Sequence, residues 1–285
     1  MQQMNKYLSA GVAMVVIALV LLLALGVAAP AFSATLTGIF APAATPTPPA
    51  GDIIPLKPIA GLTSLNANVK IEVNGLINGQ RAQGELNGVV TTNDQKKSQA
   101  TISGSLLGQI AAEVGGSLVG LFTPSKVDVY KVPEGTYVVV NGLFPLCVKP
   151  AAANATETLD DMTPQSLLGM LTNSDVARGK LVGEEKLNGV PVKHYAINGQ
   201  AFLAAAQNSS DPKLKAFGEA LWSAEDADLY VDAKGGYPLA FSGSYSGKYE
   251  PLKFEGDFSV QIELTGVNTN TPVNLPASCA NPISR

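Results

Sequence analysis

Period-two alternation of apolar and polar side chains dominates the second half of the chain. Phe254, Phe258, Val260, Ile262 and Leu264 alternate with Glu255, Asp257, Ser259, Gln261 and Glu263, the pattern of a strand with one dry and one wet face. The block from Lys180 to Leu264 predicts strands at Lys180–Leu187, Val190–Ile197, Ala227–Asp232, Tyr237–Tyr245 and Lys253–Leu264. The pair Asn188-Gly189 supplies a tight hairpin turn between the first two. A helical run, Gly199–Trp222, interrupts the strands. It divides at Asn208-Ser209-Ser210 into Gln200–Gln207 and Asp211–Trp222, where Asp211-Pro212 is a cap followed by a proline suited to the first helical position. In the second piece Leu214, Phe217, Leu221 and Trp222 are predicted to share one side.

The first half repeats the theme. Strands at Asn68–Leu76 and Gln80–Thr92 flank an Asn78-Gly79 turn, Ser98–Ser103 follows, and Lys126–Val132 and Thr136–Val140 form a further hairpin. Strands adjacent in sequence usually pair, so one continuous antiparallel sheet is the economical topology. Two further helices are predicted, an oily one over Leu106–Phe122 and one starting at Thr163-Pro164 and running through Leu167, Leu168 and Leu171. Strand glycines, as in Phe241–Gly247, and the oily helix point to an interior space beside the sheet.

Composition narrows the compartment and the chemistry. Ala10–Ala29 carries no charged residue and only Lys6 precedes it, so this segment directs export, either as a retained membrane anchor or as a signal cleaved after Ala31 or Ser33. The Pro-rich stretch Ala41–Asp52 reads as an extended spacer. The expected organisation is therefore a signal or anchor over 1–34, a linker over 35–60, a folded domain over 61–275 and a tail over 276–285. A net charge of -4 with scattered lysines and arginines creates no basic field for nucleic acid. The two cysteines, Cys147 and Cys279, predict one disulfide in an oxidising compartment, the alternative being two buried thiols.

The sequence contains no Gly-x-Ser-x-Gly elbow, His-Glu-x-x-His, phosphate loop or dinucleotide fingerprint, so no enzyme activity, cofactor or metal is implied. His194, the single histidine, falls in a strand and reads as a sheet-surface residue, and the acids Asp160-Asp161, Glu184-Glu185 and Asp226 with Asp228 read as solvated turn residues. Asn154-Ala155-Thr156 and Asn208-Ser209-Ser210 mark exposed polar loops.

The order of these elements, with Asn188-Gly189-Val190-Pro191-Val192-Lys193-His194-Tyr195, the helical pair, Ala227–Asp232 and Tyr237-Pro238-Leu239-Ala240-Phe241, resembles the LppX/LprAFG family of envelope lipoproteins, related in fold to the carriers LolA and LolB. The resemblance implies an α+β fold: a single curved antiparallel half-barrel sheet, helices across its concave face and a hydrophobic cavity between them. It implies binding of lipid or acylated glycolipid for transport or presentation in the cell envelope. The lining residues expected on that basis are Ile110, Val114, Leu118, Leu167, Leu171, Leu203, Phe217 and Leu221. The family's lipidated N-terminal cysteine is missing, so anchoring falls to Ala10–Ala29. A second reading keeps the fold but fills the core, making the protein an envelope sensor or scaffold that binds a protein partner.

Overall fold

The computed structural model describes residues 51–57, 64–77, 79–95, 97–107, 124–142, 145–149, 177–210, 212–249 and 254–284. Alternation over long runs produces long strands: β1 Asp52–Ile53, β2 Leu65–Ile77, β3 Gln80–Thr92, β4 Ser98–Ser103, β5 Lys126–Val132, β6 Gly135–Asn141, β7 Pro145–Lys149, β8 Arg178–Leu187, β9 Val190–Ile197, β10 Leu221–Ala224, β11 Ala227–Asp232, β12 Pro238–Tyr249, β13 Phe254–Val267 and β14 Ile283–Ser284. Between β9 and β10 stand the helices α1 Gly199–Gln207 and α2 Pro212–Ala220.

The strands form one open sheet in the order β1-β8-β9-β11-β12-β13-β2-β3-β4-β5-β6-β7-β14, with β10 beside β12. Every pairing is antiparallel except β14 on β7. Two sequential meanders, β2 to β7 and β8 to β13, are joined by the long β13–β2 pairing, which runs from Phe254↔Ile77 to Val267↔Leu65. The turn at Asn188 (φ 51) and Gly189 (φ 82) has both central residues in the left-handed region that a tight hairpin demands. The tip of this β8–β9 hairpin leans over the wet face, where the Asn188 amide donates to the carboxylate of Glu263 on β13. Because β11 and β12 lie between β9 and β13, that contact requires the sheet or its hairpin to curl across two strands.

Three differences from the expectations bear on the architecture. The helix expected to reach Trp222 ends at Ala220, and Leu221–Ala224 is a strand on β12. β11 pairs β12 only between Pro238 and Ser242, so the next stretch of β12 needs another hydrogen-bonding partner, and that demand outweighs the helical pattern. A register shift between Leu221 and Ser223 leaves Trp222 52% exposed, not on a shared apolar side with Leu221. Within the expected linker, Asp52–Ile53 pairs with β8 and Ile54 is buried, its N–H donating to the Ala177 carbonyl at 2.9 Å. Within the expected tail, Cys279 is buried and Ile283–Ser284 pairs with β7.

The dry faces merge into one core that runs from Ile197 and Leu229 through Phe241, Phe258, Ile71 and Leu86 to Val127 and Val138. At β5–β7 the opposite face is dry as well. Tyr130, Val132, Tyr137, Val139 and Cys147 form a second cluster with Val273 and Cys279. The C-terminal strand of chain reaches it from the end of β13: Asn66 on β2 donates to Thr269 (3.2 Å) and Thr271 (2.9 Å), and Cys279 closes on Cys147 as a disulfide.

Candidate functional site

The helical hairpin is seated by its first turn. Asn198 caps α1, its side-chain oxygen accepting from the Ala201 N–H at 2.9 Å, and Asp226 accepts from the Gly199 N–H at 3.0 Å. A Cβ on Gly199 would collide with the Glu225 carbonyl, so glycine lets the helix start pressed against the β10–β11 connection. Asp226 and Asp228, expected to be solvated turn acids, have structural partners instead: one caps α1 and the other binds His194.

The hairpin packs chiefly over β10 and β12, not along the whole sheet. An aromatic chain crosses from helix to sheet: Phe202 and Phe217 at 6.4 Å, Phe217 and Tyr245 at 5.5 Å, Tyr245 and Phe258 at 5.4 Å, Phe254 and Phe258 at 6.3 Å. Three of these pairs are edge-to-face, and Tyr245 and Phe258 are tilted at 31°. Burial pushes the Tyr245 hydroxyl well above the usual tyrosine range. The space beside the strand glycines proves to be occupied: a Cβ on Gly243 would meet the Tyr245 hydroxyl oxygen at 2.7 Å, and one on Gly247 would meet Leu221 at 2.7 Å. Glycine here makes room for a folded-back ring and a leucine.

Of the residues expected to line the cavity, Leu203 lies buried on α1, Phe217 is half-buried on α2 against Tyr245, and Leu221 is buried on β10. Phe217 and Leu221 meet β12, at Tyr245 and Gly247. Ile110, Val114, Leu118, Leu167 and Leu171 lie outside the described residues. The oily segment that contains the first three begins within the described part: Leu106 and Leu107 are 1% and 2% exposed and belong to the main core, with Leu106 over Gly84. Phe202 and Tyr245 were not singled out by the sequence. Helical spacing could have flagged Phe202, since it shares a face with Leu203 and Ala206 as buried residues of α1.

The wet face differs in kind. A trough of about 700 Å³ crosses β12, β13, β2 and β3, flanked by Glu72, Asn74, Gln83, Glu85, Ser246, Asp257 and Ser259 and reaching Ser105 and Glu225 at its ends. Lys70 bridges Glu72 at 2.7 Å and Glu85 at 3.4 Å. The Glu72 hydrogen bond holds the Lys70 ammonium above its usual range, and Lys70 in turn holds Glu72 below the usual carboxylate range. An acyl chain laid in this trough would strip water from carboxylates and give nothing back.

His194 stacks on Tyr230 at 4.5 Å between two acids: Nε2 lies 2.7 Å from Asp228 and Nδ1 3.2 Å from Glu185. Both ring nitrogens face carboxylates, so neither is placed to take a proton from a nucleophile. Among the described residues no group of acids, histidine and cysteines could hold a metal ion, and no helix is long and apolar enough to cross a membrane.

No protein-family model matches the chain, and no curated protein matches it. Among solved structures it is similar to the crystal structure of LprF from Mycobacterium bovis, at 15% identity over 76% of this chain and 90% of the other, with a TM-score of 0.41. Two looser likenesses cover 75% of this chain: a putative outer membrane lipoprotein-sorting protein domain from Vibrio parahaemolyticus (7% identity, 88% of that chain, TM-score 0.23) and a DUF1329 family protein from Desulfovibrio piger (10% identity, 89% of that chain, TM-score 0.23).

Proposed function

We propose that this protein is exported and binds the acyl chains of a lipid or acylated glycolipid between the dry face of its sheet and the helices above it, moving or presenting that lipid in the cell envelope without catalysing a reaction. The observation that carries the reading is the breadth of the dry face. It is continuous from β9 through β2 to β6, whereas the described helical hairpin sits chiefly over β10 and β12. An apolar sheet face must be covered, and the cover proposed here is shared between side chains of the oily segments around Ile110–Leu118 and Leu167–Leu171 and bound acyl chain. Leu203, Phe217 and Leu221 would form the wall at the aromatic end. Each buried methylene contributes about 0.8 kcal/mol, so two acyl chains suffice for tight binding without a polar motif. In this reading Ala10–Ala29 anchors the chain or is cleaved, and the Pro-rich stretch links it to the folded body.

One observation favours the second reading, a sensor or scaffold with a filled core: the Tyr245 ring and Leu221 occupy the room that Gly243 and Gly247 leave. Native mass spectrometry of protein purified from membranes separates the two. Co-purified lipid, or stoichiometric uptake of a fluorescent fatty-acyl probe, is expected. Protein that is ligand-free and takes up no probe would refute lipid binding and leave the scaffold.

A further inference from the structure

The sheet ends on one side at β1 and β8, and this edge has an unusual surface. Ile53, Leu181 and Val182 are 57%, 48% and 60% exposed. β1 covers β8 only at Arg178 and Gly179, so from Lys180 onward the outer edge of β8 has no strand partner among the described residues. A register shift between Leu181 and Gly183 marks a bulge here, in a stretch of β8 whose consecutive side chains Lys180, Leu181 and Val182 all reach solvent. Bulges and charges usually protect an edge from pairing with another strand. This one has the bulge but sets aliphatic side chains at it.

The charges around the patch are mixed. Arg178 and Lys180 flank it on β8, Asp52 stands on β1, and Glu184 and Glu185 follow beyond the bulge, with Glu185 turned to His194. Neither Arg178 nor Lys180 has an ion-pair partner among the described residues.

We propose that the β1–β8 edge lies against a lipid bilayer, with Ile53, Leu181 and Val182 dipping into the headgroup region and Lys180 at the level of the phosphates. Two facts choose a bilayer over a protein strand. The bulge spoils the regular ladder that strand addition needs. The chain also enters the fold at this patch: the apolar segment Ala10–Ala29 is followed by a Pro-rich stretch that runs directly into Asp52–Ile53. With Ala10–Ala29 retained as an anchor, as proposed above, the membrane-held chain joins the sheet at this edge. Exposed aliphatics beside free cations are the side-chain set of an interfacial contact. This inference rests on the anchor reading of Ala10–Ala29 given above but not on acyl binding, since a filled core would leave the edge unchanged.

The test uses the full chain reconstituted in vesicles of phosphatidylcholine and phosphatidylglycerol, with and without bromine on the acyl chains. Trp222, the single tryptophan, lies on β10 outside the patch and reports on mere tethering. A Val182→Trp, Trp222→Phe protein is expected to lose about half its fluorescence to brominated lipid, because interfacial contacts sit within bromine reach. The unaltered protein is expected to change little. Adding Leu181→Asp and Ile53→Asp should abolish the quenching while the chain still sediments with vesicles. These side chains are exposed, and near-ultraviolet circular dichroism checks the fold. Absence of quenching at position 182, equal quenching at position 222, or quenching that survives the aspartates would each overturn the proposal. Shielding of position 182 by a second protein chain falls under the first of these.

Discussion

Replacing both Cys147 and Cys279 with alanine is the perturbation whose size follows most directly from the structure. The two residues are 132 apart in sequence, so the bridge closes nearly half of the chain. Loop-closure entropy for a ring of that size amounts to about 5 kcal/mol at 25 °C. The bridge joins β7 to the segment that covers Tyr130, Val132, Tyr137 and Val139, so its removal has a local consequence as well. Without it, that segment is held by Val273, the Asn66 hydrogen bonds and the two-residue β14. Alanine avoids burying a new hydroxyl, and replacing both cysteines avoids a stray thiol. Urea denaturation followed by fluorescence and circular dichroism gives the global stability, provided the two signals coincide. A loss of about 3–5 kcal/mol is expected, allowing for residual structure in the unfolded chain. A loss below about 1 kcal/mol would refute the entropic reasoning. If, in addition, proteolysis released only the C-terminal segment while the sheet kept its midpoint, the disulfide would act as a local clasp and not as a constraint on the whole domain.

Other outcomes follow from single sites. Gly256 has φ +152 and faces Gly75, whose Cα a new Cβ would meet at 2.5 Å. Gly256→Val should lower stability by about 3 kcal/mol or more in a thermal melt, because backbone strain and overpacking add. Tyr245 holds its proton more tightly folded than unfolded. The unfolded chain therefore ionises first, and stability present below about pH 10 is lost as pH rises beyond it. Tyr245→Phe should flatten that alkaline fall in a urea-midpoint series, and an unchanged pH profile would contradict the assignment. Asp226→Ala removes the carboxylate that accepts from the Gly199 N–H. It should cost about 1 kcal/mol and raise hydrogen exchange in the first turn of α1 more than in β11.

Much of the sheet could be read from local pattern because its information is local. The boundaries of Gln80–Thr92, Ser98–Ser103, Lys126–Val132, Val190–Ile197 and Ala227–Asp232 match between local pattern and structure, although Lys126–Val132 is buried on both faces. The second cluster at β5–β7 has a local signal of its own, since Tyr137-Val138-Val139-Val140 breaks alternation and marks burial on both faces. The candidate wall was legible only in part. Leu203 and Phe217 sit on their expected helices, Leu221 joined a strand, and the other five residues fall outside the described chain.

By itself the chain's sequence determined most of the long strands between Asn68 and Leu264, where their tight turns fall, one dry side for each of them and that the two cysteines are available to pair. Those properties depend on side chains two to four residues apart. Tertiary structure decided that β13 joins β2, that Leu221–Ala224 completes β12, that the C-terminal segment covers the back of β5–β7, and that Tyr245 and Leu221 fill the space over Gly243 and Gly247. Each of these satisfies a hydrogen-bonding or packing demand created by a distant segment, and no local periodicity encodes such a demand.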